Sequence, residues 1–226
     1  MRIPVTVLIA LVTACTTPLW AEVVTPQRMV EFSPASGSAG QWHYDGVGIL
    51  SFDQGIRVDS ALGSNSDGLT GAQVILPTFQ IGAIPEGPYS LRPLGNAQIT
   101  IRNADNGTIY LTGTLGTGDL ATFGTVAGGF TQFQADITNL LITHEGAALG
   151  SAALAVLSNM RQPSLDFELS LHGGSGPGYL SFAGMLDGSH CGRGGFSGAM
   201  SVPEPTTVAL LGLGGLALIR RRRTQP

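Results

Sequence analysis

Four histidines, His43, His144, His172 and His190, are the side chains best suited to acid–base or metal chemistry near neutral pH. No two of them lie two or four residues apart, so no single strand or helix face can assemble a histidine metal pair. The sequence predicts no metal and no cofactor. The string Gly195-Phe196-Ser197-Gly198-Ala199 approaches a nucleophile elbow but lacks its final glycine. Asp166 and Glu168 alternate with Leu165, Phe167 and Leu169, which predicts a solvated strand face rather than a paired acid–base catalyst. Asn65, Asp67, Asp105 and Asn106 carry oxygens of the kind that bind calcium. They sit in polar, glycine-bearing turns, where such side chains ordinarily bond their own backbone, and the spaced acids and closing Glu of an EF-hand are missing. Trp42 and Tyr44 offer aromatic faces that could stack on sugar rings. No catalytic residue is assigned, and no glycine-rich phosphate loop is present.

A different signal occupies residues 202–226. Val202-Pro203-Glu204-Pro205 is stiff, because each proline fixes its own φ and biases its predecessor toward an extended backbone. An apolar run follows, with Thr206, Val208, Leu210, Leu211, Leu213, Leu216, Leu218 and Ile219 as its larger members, and Arg220, Arg221, Arg222 and Arg223 close it. Thr206 to Ile219 would span about 21 Å as a helix, against about 30 Å of bilayer hydrocarbon. Gly212, Gly214 and Gly215 weaken it further, so the segment reads as a temporary membrane anchor. The four arginines fix the cytoplasmic side and place the preceding chain outside.

This order of parts resembles the PEP-CTERM sorting signal of Gram-negative bacteria, on Pro203-Glu204-Pro205, the Leu/Gly-rich run Val208 to Ile219 and the block Arg220 to Arg223. The resemblance implies recognition near the Pro-Glu-Pro by exosortase, a membrane protease-transpeptidase. It also implies transit through the inner membrane and cargo destined for a cell surface, biofilm or polysaccharide matrix. It covers only the last residues and is silent about the rest.

Met1 to Ala21 reads as a secretory signal peptide, with Arg2 at its start, an apolar Val5 to Val12 and small Ala21 at the cut. Val12-Thr13-Ala14-Cys15 offers a competing lipoprotein cut that would lipidate Cys15. Cleavage after Ala21 leaves Cys191 alone, so no internal disulfide is expected.

The elements between these segments must be built from an unusual mixture. Lysine is absent, charged residues make up 12% of the chain, and there are 33 glycines. That composition excludes a coiled coil or a charge-laced helical protein. Residues 22 to 205 hold six arginines (28, 57, 92, 102, 161 and 193) against 15 acids, a net of −9. With no basic cluster to neutralise phosphates, nucleic-acid binding is not expected.

Period-2 alternation predicts strands over 23–32, 47–52, 122–126 and 130–143, with Pro77 and Pro85 breaking the apolar runs around 74–84. A hairpin is predicted where Ile99 and Ile101 face Ile109 and Leu111 across a turn ending in Asn106-Gly107, with all four aliphatics on one face. A second hairpin pairs Leu165 to Leu171 with Leu180 to Leu186. Ala147 to Met160 carries apolar residues at helical spacing and predicts one helix.

The expected architecture is all-β, a β-sandwich or jelly-roll-like domain over 22–201 with one short helix, flanked by a signal peptide (1–21) and a sorting and anchor segment (202–226) with a C-terminal hydrophobic helix. The expected function is that of a non-catalytic exported surface or matrix protein. Two alternatives remain: a secreted carbohydrate-binding module using Trp42 and Tyr44, and a hydrolase assembled only by folding.

Overall fold

The computed structural model describes residues 27–35, 41–82, 89–123, 130–160, 164–172 and 191–203. Fourteen strands form one antiparallel sheet: β1 (Gln27–Pro34), β2 (Trp42–Tyr44), β3 (Ile49–Phe52), β4 (Ile56–Ala61), β5 (Gln73–Ile75), β6 (Phe79–Gly82), β7 (Tyr89–Pro93), β8 (Gln98–Arg102), β9 (Ile109–Leu115), β10 (Gly118–Phe123), β11 (Phe130–Ile142), β12 (Leu165–His172), β13 (Gly192–Gly194) and β14 (Phe196–Val202). Two short helices, α1 (His144–Ala148) and α2 (Ala152–Ser158), lie between β11 and β12.

The pairing order β12-β14-β1-β4-β5-β8-β9-β11 returns to β12 and closes an eight-stranded barrel. The expected two-sheet sandwich is therefore replaced by a barrel. The other six strands continue it upward. β2 follows β1, β3 precedes β4, and β6, β7, β10 and β13 extend their neighbours likewise, each meeting the next in antiparallel register. The chain thus winds as eight long staves in sequence order, most of them interrupted midway, with β13–β14 closing against β1–β2. Closure removes the free edges that an open sheet would expose.

Local chemistry explains the interruptions. A Cβ at Gly118 would stand 1.9 Å from the Gln134 carbonyl oxygen, so only glycine lets the stave bend between β9 and β10. In β11 the register slips between Thr138 and Leu141, and Asn139 takes a φ of 51°. The predicted hairpin is present as β8–β9, with Ile101 opposite Leu111. A bulge between Ile101 and Arg102 turns Ile109 away, leaving it exposed while Ile99, Ile101 and Leu111 are buried. The described strands that pair with β12 are β11 and β14; residues 180–186, proposed as its hairpin partner, lie outside the described residues, as do the leader and residues 204–226.

The single expected helix is two. Gly150, at φ 75°, breaks it, and Ser151 starts α2 by accepting the Leu154 N–H at 3.2 Å. The pair caps one end of the barrel, with Ala153, Leu154 and Leu157 buried in the core beside Leu69 of the loop joining β4 to β5. Gln27 and Val202 pair at this same end.

The interior is filled. Phe32, Phe167, Phe133, Phe79, Phe52 and Phe196 form an unbroken chain of ring contacts at centroid separations of 5.0–5.9 Å. Small barrels of this strand number hold side chains rather than a channel, and this one follows that rule through its middle.

Candidate functional site

β14 combines two roles: it closes the barrel and leads into the sorting segment. Its inward residues are Phe196, Gly198 and Met200, and Gly198 is small because a Cβ there would sit 2.2 Å from the buried Phe32 ring. Its outward residues, Ser197, Ala199 and Ser201, are also small. Ala199 lies between Glu31 and Glu168 in register, and Ser201 between Arg28 and Asp166. The longer neighbours overhang the strand and leave Ala199 and Ser201 less than a tenth exposed.

Two furrows lie on this outer wall, one reaching β14 only at Ser201 and the other crossing it at Ser197–Ala199. One holds about 400 Å³ and is lined by Asp119, Gln134, Asp136, Asp166, Glu168 and Ser201 among others. The other, of about 250 Å³, is lined by Arg28, Glu31, Asp59, Ser170 and Ser197, again with Glu168. Asp136 stands directly opposite Asp166 across β11 and β12, an unfavourable like-charge placement on an outer wall. Glu31 is held below the usual carboxylate range, first by the Arg28 guanidinium at 2.6 Å and then by the Ser60 hydroxyl at 2.7 Å. Arg28 is correspondingly raised by its bond to Glu31. A face of this sign repels polyanions. Asp166 and Glu168 do lie on the strand face opposite the apolar residues. Among the described residues no three of His, Cys, Asp and Glu are grouped so as to hold a metal ion.

Past Val202 the ladder stops, since Pro203 has no N–H to donate. Glu204, Pro205, the apolar run and the four arginines lie outside the described residues. No described helix is long and apolar enough to cross a membrane.

The other chemistry-bearing residues are dispersed. Trp42 is fully buried with its indole N–H donating to the His172 carbonyl at 3.0 Å, and Tyr44 is 7% exposed. Both rings belong to the barrel interior, which corrects the expectation that they present a stacking surface. The alternation of β2 places them inward and His43 outward. His43 meets Asp53 at 3.0 Å, and both side chains are more than a third exposed. Its cross-strand neighbours are Ser51 and Arg193. This His–Asp pair was not anticipated, although a tight hairpin joining 42–44 to 49–52 would bring positions 43 and 51 together. Ser197 lies within a regular strand rather than on an elbow. His190 is outside the described residues, and Cys191 is a free, exposed thiol.

Of the turn residues singled out, Asp67 and Asn106 bond backbone, as their chemistry predicts, and so does Asn103. Asn103 accepts from Asp105 and Asn106 N–H, and Asn106 from Thr108. Asp67 accepts from Leu69 at 2.9 Å and from Ala152, at the start of α2, at 2.8 Å. Desolvation raises its pKa, but these N–H groups and Ser151 outweigh that and hold the carboxyl low. Asp45, which the sequence did not single out, caps three N–H groups, of Val47, Gly48 and Ile49, at 2.8–2.9 Å.

Fold and ends together define an acidic, solid-cored barrel whose last stave runs straight into a targeting segment. Residues 201–223 match the PEP-CTERM protein-sorting motif, so this chain carries that signal on the strand that closes its barrel. The signal implies processing by exosortase, export, and passage through the membrane before release at the surface. No curated protein and no solved structure matches the chain.

Proposed function

We propose that this protein is a non-catalytic component of the cell surface or extracellular matrix, delivered as a folded barrel and processed by an exosortase-type membrane protease-transpeptidase. The observation that carries the reading is the position of the motif. It overlaps the barrel's closing strand by two residues, Ser201 and Val202, and leaves the barrel at Pro203. A protease acting near Pro203–Pro205 would then detach the tail without unpairing a strand. The non-catalytic part is supported by the phenylalanine-filled interior and by carboxylates that lie on an open outer wall. In transit the chain is held in the inner membrane by its C-terminus, with the barrel outside.

Glu204→Ala in the native host tests the reading. The expected outcome is a full-length chain retaining its tail in the membrane fraction, with barrel stability unchanged because the substitution lies beyond Val202. Normal release at the normal mass would overturn the assignment.

A further inference from the structure

Four large apolar side chains among the described residues are exposed, and three of them gather at one end. Leu141 is 62% exposed at the end of β11, Ile109 41% at the start of β9, and Val156 37% on α2. The fourth, Val47 at 88%, lies at the opposite end, between β2 and β3. The same three-residue end carries exposed Ala147, Ala148, Ala152 and Ala155, and α2 contains no charged residue. The Thr143 hydroxyl, which caps α1, also donates to the Ile109 carbonyl at 2.6 Å and binds the rim to the helices. Charges near it among the described residues include exposed Asp105 and Glu145, Asp67 committed to α2, Arg28 paired with Glu31, and Arg102, which stands opposite Ile109 and donates to Gln73.

Val202 leaves the barrel at this end, and only Pro203, Glu204 and Pro205 separate it from the apolar run that begins at Thr206. The four Cα–Cα steps from Val202 to Thr206 reach at most about 14 Å. While the run is inserted, this end is therefore tethered within about that distance of the lipid boundary. We propose that the helix-capped end is a membrane-docking face, with α1, α2, Ile109 and Leu141 resting on the lipid surface during transit. The inference rests on the sorting reading above and adds the orientation of the barrel. The face is too small to bind lipid strongly alone, and the tether supplies a high local concentration instead. Among the described residues no basic cluster borders it, so contact does not depend on anionic lipid. Docking would hold Pro203–Pro205 at a fixed depth, against the membrane that houses the protease.

The test uses the full chain with Cys15→Ser and Cys191→Ser, reconstituted in phosphatidylcholine vesicles. Single cysteines at Val156→Cys, Leu141→Cys and, as control, Val47→Cys carry an environment-sensitive fluorophore. A lipid-attached quencher reads proximity, and resistance to alkaline extraction scores tail insertion separately. The expected result is several-fold stronger quenching at 156 and 141 than at 47, unchanged by anionic lipid or salt. Equal quenching with the tail inserted overturns docking and leaves the sorting reading intact. An extractable tail overturns the anchoring premise and the inference together. A spectral change at 156 that needs no lipid and grows with protein concentration assigns the face to a second copy, and likewise overturns the proposal.

Discussion

Single atoms decide several positions. At Gly198 a methyl group would meet the Phe32 ring at 2.2 Å, and that ring is itself stacked on Phe167 at 5.9 Å. Gly198→Ala should destabilise by about 1–3 kcal/mol, the usual cost of overpacking a dense core, seen as a lower urea midpoint with an unchanged slope. Asp67 makes a second prediction. Its folded pKa lies below the unfolded value of about 3.9, so its stabilisation is present above that pH and is lost as pH falls through the folded pKa. Asp67→Asn keeps one acceptor oxygen, enough for either the Leu69 or the Ala152 N–H but not both, so it lowers stability at neutral pH and removes the titration. Its urea midpoint should fall less than that of the natural chain between about pH 5 and pH 2. A parallel loss in both proteins would assign the acid sensitivity elsewhere, with Glu31 the next carboxyl held low.

At the scale of elements, Gly150 separates two accounts of the same stretch. In one continuous helix, replacing it with alanine would stabilise by about 1 kcal/mol. At its observed φ of 75°, Gly150→Ala should instead destabilise by about 1 kcal/mol, measurable by thermal or urea unfolding. Helical spacing of Leu149, Ala153, Val156 and Leu157 was legible, but spacing cannot register a break whose cause is a backbone turn. The β8–β9 hairpin was legible because its turn chemistry and alternation agree locally. β14 was not: Phe-Ser-Gly-Ala-Met-Ser-Val has few of the branched and aromatic residues that mark strands. It is a strand because β1 and β12 flank it, information held more than 160 residues away for β1. Trp42 and Tyr44 were misplaced for a related reason. Alternation says that 42 and 44 share a face but not which face is inside, and that depended on closing the barrel.

Across the whole molecule, the C-terminal sorting signal was the most readable part and the domain's architecture the least. A signal read by another protein must be legible in a short linear stretch, and Pro203-Glu204-Pro205 with Arg220–Arg223 is such a stretch. Whether alternating strands make a sandwich or a barrel depends on pairing between distant segments, which amphipathic pattern alone does not specify. Among the described residues, Asp119, Asp136, Asp166 and Glu168 gather on the outer wall, lining the larger furrow. That leaves the solid aromatic interior to supply stability and the surface to keep an exported barrel soluble.

The pairing of Gln27 with Val202 also sets a schedule. Contacts between the two ends of a chain are the slowest to form, because the loop between them must close first. In a chain exported unfolded and N-terminus first, the barrel cannot seal until its last stave has crossed the membrane. By then the next residues to emerge are those of the sorting signal. Completion of the fold and presentation of the signal thus fall at the same moment of export, so a chain stalled short of Val202 has neither a closed barrel nor an address.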